Sequence, residues 1–405
     1  MSAEPSVLMT LEDASRSTSG GVVRFGFRAG DQTVAVTTEY AVIDAAPMPA
    51  LAPSGHGEQT LADAGLAAAL LPAMKLGLPL SIAAPGPAGA SGNVDRIQDL
   101  LAGWWPQLLH RVPVERLATA VGPVGPNPVA SDPRGVGLFF SGGVDSFYSL
   151  LKLADRIGAL IVVHGFDVPL ANAALWGDVE GHLAAACQAW GKRMIRVRTD
   201  LRGLVERYVP WEVAHGAAMA HVALVLAPLL REVVIASSFH EAFLFPFGSH
   251  PELDPLWSTR EQAIIHDGCE ATRIQKTRAI AGHPVVLRTL RVCWRNPGNA
   301  YNCGACRKCI ITMLDLDLAD ALERCETFLR RPEPEEIYRI DMSVPAVRVY
   351  FEEICAEYRR RKPDSPYLPV LDHVLYGRAT WRRKAGRFGR RAASKLASVV
   401  RRGVR

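Results

Sequence analysis

Two groups of residues have the types and spacing to do chemistry. The first is Ser141-Gly142-Gly143-Val144-Asp145-Ser146, which directly follows the apolar run Val136 to Phe140. After it, Phe147, Leu150, Leu151 and Ala154 recur at helical spacing. Two glycines let the chain turn tightly against a ligand, and the helix start aims free N–H groups and its positive dipole end at an anion. Strand, glycine turn and helix together predict a phosphate cradle. The alternative is a plain helix start in which Asp145 and Ser146 cap the backbone donors. The segment is neither a Walker A loop nor G-x-G-x-x-G, and Gly191-Lys192 is followed by Arg193 rather than Ser or Thr.

The second group is Cys293-x9-Cys303-x2-Cys306-x2-Cys309. Two-residue spacings on a tight turn, relieved here by Gly304, bring neighbouring sulfurs to one point, as a four-thiolate metal site requires. Structural Zn²⁺ is the expectation, with an iron–sulfur cluster as the alternative that uses the same ligands. Cys187, Cys269, Cys325 and Cys355 stand alone and read as buried apolar thiols.

Lesser candidates surround these. Arg273 and Lys276 lie three apart and so share a helix face, where two cations would neutralise charge on a leaving pyrophosphate. A solvated basic face paired with Glu270 is the competing account. His164 and Asp167, in His164-Gly165-Phe166-Asp167, and Thr199-Asp200 fall at expected strand ends. His240, His250 and His266 have side chains suited to proton transfer near neutrality. The polar stretch from 239 to 268 is long enough to cover a bound substrate.

These groups need a scaffold, and the chain supplies a rhythm for one. From residue 135, short apolar runs at Val136 to Phe140, Leu160 to Val163, Met194 to Val197, Glu232 to Ala236 and Val285 to Leu287 alternate with helical segments. Such alternation predicts βαβ units and a parallel sheet, with ligands at the carboxyl ends of the strands. Residues 1–130 predict a β-rich or α+β accessory domain, with strands at 22–27 and 33–36 and helices near 61–81 and 93–110. The segment 122–135, rich in Pro and Gly, is the expected boundary. Residues 131–320 would form the α/β domain with the four-Cys site, 321–377 a helical extension and 378–405 a basic tail.

That tail holds eleven of the 46 Lys and Arg and none of the 41 acidic residues, so the rest of the chain is net acidic. The body therefore offers no electrostatic case for nucleic acid. Within the tail, Trp381, Ala385, Phe388, Ala392, Leu396 and Val399 repeat every three or four residues among arginines. A cationic amphipathic helix suits an anionic membrane surface, and a polyanion such as RNA would also attract it. No apolar stretch is long enough to cross a bilayer, and the first residues lack the pattern of a signal peptide. A cytoplasmic enzyme is expected, with peripheral contact at the inner membrane surface through the tail.

The loop Ser141 to Ser146 resembles the pyrophosphate loop of the N-type ATP pyrophosphatases, the PP-loop or HUP-like superfamily of doubly wound α/β proteins. Its pairing with a C-terminal four-cysteine cluster is similar to 7-cyano-7-deazaguanine synthase. The resemblance covers about residues 135 to 315 and leaves the first 130 and last 90 unaccounted for. It implies that Ser141, Gly142, Gly143, Val144 and Ser146 hold the pyrophosphate of ATP, that Asp145 helps place Mg²⁺, and that His164 and Asp167 lie by the AMP moiety. Lys276, with Arg273, would stabilise the departing pyrophosphate. The implied reaction activates a carboxylate, amide or lactam oxygen of a small-molecule acceptor as an AMP ester, for attack by ammonia, an amine or a sulfur donor. A sulfurtransferase acting on tRNA or a small molecule, and a non-enzymatic nucleotide sensor, are the alternatives. No glutaminase motif is evident, so nitrogen would come as free ammonia, as an amine or from a partner.

Overall fold

A computed structural model of the chain describes residues 5–43, 60–85, 93–117 and 134–377. The basic tail, 378–405, lies outside the described residues, as do 118–133, which hold most of the expected boundary. The chain divides into two compact units, Met1–Tyr301 and Asn302–Arg405.

In the first unit, β1 (Val7–Arg16), β2 (Gly20–Ala29) and β3 (Gln32–Ile43) form an antiparallel meander. Helix α1 (Thr60–Leu76) follows, then β4 (Leu80–Ala83), α2 (Val94–Trp104) and β5 (Val114–Leu117). Beyond residue 134 come β6 (Gly135–Phe139), α3 (Val144–Lys152), β7 (Ala159–His164), α4 (Ala173–Ala189) and β8 (Arg193–Thr199). The unit continues with α5 (Leu201–Val205), α6 (Trp211–Val225), β9 (Leu230–Ala236), β10 (Ala263–Asp267), α7 (Arg273–Ile280) and α8 (Pro284–Thr289).

The ten strands among the described residues belong to one sheet, in the order β10-β9-β6-β7-β8-β3-β2-β1-β4-β5. The stretch β10 to β8 is parallel throughout. β6 and β7 are apolar along most of their length and almost wholly buried, as strands covered on both faces must be. Numbered within this half alone, the order is fifth, fourth, first, second, third. The chain thus leaves β6 for β7 on one side and returns later as β9 on the other, which puts a topological switch point at the carboxyl end of β6. The α/β expectation holds at this level.

The strands of residues 7–117 do not form a sheet of their own. β3 pairs antiparallel with β8, from Thr38↔Thr199 to Ile43↔Met194. A buried polar seam secures this join. Thr38 Oγ1 lies 2.9 Å from both Thr199 Oγ1 and His221 Nε2, and His221 Nδ1 lies 2.8 Å from the Ala64 carbonyl. Burial pushes the His221 imidazole down to about 4, so it is neutral and serves the seam rather than acid–base chemistry. One apolar cluster extends from Val7 to Ile264, with the nearly all-buried α1 inside it.

Two elements depart from expectation. Val285 to Leu287 is helical, within α8, where Pro284 occupies the first turn and presets a helical φ. The fifth parallel strand is instead β10, Ala263–Asp267, inside the stretch expected to be irregular. A three-residue apolar run is compatible with either element, so periodicity alone cannot decide.

The second unit is helical where it is described, with α9 (Arg307–Leu318), α10 (Pro334–Tyr338), α11 (Pro345–Arg361) and α12 (Tyr367–Asp372). Tyr358 Oη donates to Asp317 Oδ2 at 2.8 Å, tying α11 to α9 through a buried hydrogen bond. Among the described residues no helix is long and apolar enough to cross a membrane.

Candidate functional site

The glycine turn leaves the carboxyl end of β6 at the switch point. Gly142 has φ +72°, a backbone conformation that selects glycine. Its carbonyl accepts from the Arg291 amide at 2.8 Å, which pins the turn from outside. Gly143 is the N-cap of α3, and no side chain caps the helix. Ser146 Oγ donates back to the Gly143 carbonyl at 3.1 Å instead of accepting from an amide. The first helical bond runs from Phe147 N to Gly143 O, so the amides of Val144, Asp145 and Ser146 precede it, beyond an exposed Ser141. This is an anion-ready helix start rather than a side-chain-capped one.

Two cations converge on it. Arg273 Nη1 donates to Asp145 Oδ2 at 3.0 Å and Lys276 Nζ to Asp145 Oδ1 at 3.3 Å. Lys276 also donates to the Ser237 carbonyl at 2.6 Å, and its side chain is only 2% exposed. A buried ammonium is retained only where its charge is answered, so the solvated-face account fails for Lys276. Gly268 beside it takes φ +97°, a backbone conformation that favours glycine. Helix α7 begins at Arg273 behind a capping box of Thr272 and Gln275, so Glu270 precedes the helix and does not share its face. Glu270 pairs instead with Lys152 at 2.6 Å and Tyr148 at 2.9 Å. Burial alone would raise its carboxyl, but these partners outweigh burial and pull it down to about 2.

The other candidates separate. His164 stacks on Trp176 at 4.2 Å, lies 3.2 Å from the Pro169 carbonyl and is lowered chiefly by burial, which gives it a structural place. The Asp167 carbonyl accepts from Asn296 Nδ2 at 2.9 Å. Asp200 Oδ1 accepts from the Thr37 amide at 2.8 Å and so serves the β3–β8 join. His240 and His250 accept from the amides of Ala242 and Glu252, both at 3.1 Å, as turn caps. His266 differs, because its Nδ1 lies 2.7 Å from Asp254 Oδ2 with both side chains buried.

Two residues carry roles that their sequence neighbourhood does not announce. Arg291 is buried and holds the glycine turn through its amide, while its Nη2 donates to Asn296 Oδ1 at 2.7 Å. Cys269, expected to be a buried apolar thiol, is half-buried and polar in setting, with Sγ 3.3 Å from Ser237 Oγ. Its adjacency to His266 in sequence was the available signal, and the missing part was Asp254.

The four clustered cysteines do converge. The ligating atoms of Cys293, Cys303, Cys306 and Cys309 all lie within 4.8 Å of one another, and three of the residues are buried. Cys303 and Cys309 sulfurs are 3.9 Å apart, close to the ~3.8 Å edge of a tetrahedron with 2.3 Å metal–sulfur bonds. The Cys306 amide donates to Cys303 Sγ at 3.2 Å, and Gly304 takes φ +65° in the knuckle between them. Amide donation and convergence fit thiolates around one metal ion, such as zinc.

Compared with known proteins, the chain matches no protein-family model, no curated protein and no solved structure.

Proposed function

We propose that the chain is an ATP-dependent, AMP-forming ligase or transferase of the PP-loop type. The observation that carries this reading is the buried Lys276, which converges with Arg273 on Asp145 beside an uncapped helix start at a switch point. A cradle of amides backed by two fixed cations suits a polyphosphate, and the buried setting strengthens each interaction. Main-chain N–H groups of the turn and of α3 would hold the β- and γ-phosphates. Lys276 and Arg273 would stabilise negative charge as the α–β bond breaks, and attack by an acceptor oxygen on the α-phosphorus would give its AMP ester and pyrophosphate.

The Asp145 carboxylate, held beside the helix start by Arg273 and Lys276, would be the protein's ligand to a Mg²⁺ that arrives with the nucleotide. Mg²⁺ bound there would supply charge neutralisation to the phosphates. The four-thiolate set with no histidine and no carboxylate fits a closed structural zinc site, whose role is to stabilise the fold around residues 293–309.

The test is the product of ATP turnover by the purified full chain with pooled metabolite extracts. AMP and pyrophosphate are expected from the fraction containing the acceptor. ADP and phosphate would refute the reading.

A further inference from the structure

Cys269 follows Gly268 at the carboxyl end of β10, three residues after His266. The Glu241 amide donates to the Cys269 carbonyl at 2.8 Å, and Sγ lies 3.3 Å from Ser237 Oγ, so the thiol is held in one place. The carbonyl of the same Ser237 accepts from Lys276 Nζ, and Lys276 reaches Asp145 at the helix start. The sulfur therefore stands one residue removed from the cations that face the phosphate cradle.

Near it lies a buried carboxylate–imidazole pair. Asp254 is fully buried, and its carboxylate also accepts from Ser249 Oγ at 2.6 Å and from the His250 amide at 3.3 Å. This fixes the oxygen that faces His266 Nδ1 at 2.7 Å. His266 Nε2 is buried with no hydrogen-bond partner of its own, and the Cys269 thiol is a neighbouring group whose charge acts on the imidazole. Carboxylate, imidazole and thiol in this order form the orienter, base and nucleophile of an activated cysteine.

Resting on the adenylation reading above, we infer that Cys269 is a catalytic nucleophile that takes the acyl group of an adenylated carboxylic acid as a thioester. The step balances without a redox partner. The thiolate sulfur attacks the acyl carbon, the C–O bond to the phosphate breaks with its electron pair, and AMP leaves. An amine then attacks the thioester, the C–S bond breaks to return the thiolate, and the amine's proton passes to solvent. This narrows the acceptor to a carboxylate and the product to an amide.

The charges around the pair agree. Burial would raise the Cys269 thiol, but neighbouring His266, the Ser237 hydrogen bond and nearby Lys276 bring it below the usual thiol range. Burial would lower His266, yet Asp254 and Cys269 carry it up to about 9, while burial, with the His266 charge, lowers neighbouring His250. Burial pushes the Cys325 thiol up and takes Cys355 to about 12, so neither competes as a nucleophile.

The experiment has two parts, both on the full chain. Limited iodoacetamide labelling at pH 6.5 with peptide mass mapping should mark Cys269 first, and H266N should slow that labelling about tenfold. Equal rates in wild type and H266N would overturn the activated thiol. The second part adds ATP, magnesium and a pooled extract of carboxylic acids. Wild type should carry an ATP-dependent, hydroxylamine-labile mass on the Cys269 peptide. C269S should release one equivalent of pyrophosphate and then stop. Wild-type AMP turnover by C269S would overturn the thioester and leave adenylation standing, whereas no pyrophosphate from wild type would overturn adenylation and the thioester with it.

Discussion

Replacing Lys276 by Met keeps the length and apolar stem of the side chain and removes only the ammonium. Two contacts disappear, the 2.6 Å bond to the Ser237 carbonyl and the 3.3 Å bond to Asp145. Asp145 keeps Arg273 at 3.0 Å and is 20% exposed, so solvent and the guanidinium still answer its charge. The Ser237 carbonyl is the group left bare, which costs about 1–3 kcal/mol, and relief of the buried ammonium's own desolvation returns part of this. The net expectation is a loss of about 1–2 kcal/mol, a melting point lower by a few °C. Catalysis should suffer more, because a positioned charge on a developing polyanion is worth ~10²–10³ in rate. The assay is pyrophosphate release at saturating acceptor alongside thermal unfolding. R156A provides the control, since Arg156 is half-exposed, pairs with Glu232 at 2.6 Å and changes the net charge equally. K276M that melts lower but turns over ATP within twofold of wild type would make Lys276 a structural ammonium and remove the main support for the phosphate site.

Three further outcomes are expected. C306S should lose bound metal and stability together, because three thiolates hold zinc far less tightly than four; metal analysis showing full occupancy would contradict the four-sulfur site. Glu270 is held down at about 2 in the folded state, so its contribution is present above its unfolded value near ~4.3 and fades as pH falls toward 2. The melting difference between wild type and E270Q should therefore shrink from pH 5 to pH 2, and a constant difference would show that the pairing with Lys152 carries no stability. Deleting residues 378–405 should abolish cosedimentation with anionic liposomes at low salt, and unchanged binding would end the membrane reading of the tail.

Features built from near neighbours in the chain are legible in the amino-acid sequence itself. Ser141 to Ser146 and Cys303 to Cys309 each span six or seven residues, where a tight turn or a helix start dictates which groups can converge. The parallel strands at 135–139 and 159–164 are legible because burial on both faces leaves few polar positions, and those at 193–199 and 230–236 from shorter apolar runs between helices. Lys276 is recognisable as a cation on the right helix but not as a buried one, because its partners lie 39 and 131 residues away. Tertiary structure alone joined β3 to β8 through Thr38, Thr199 and His221, with the two threonines 161 residues apart, and made α8 of a run that reads as a strand. It also set the Cys269 thiol against Ser237 and joined its near neighbour His266 to Asp254, twelve residues away. Sequence periodicity records which faces avoid water, while partners distant along the chain meet only when packing decides which faces are opposed.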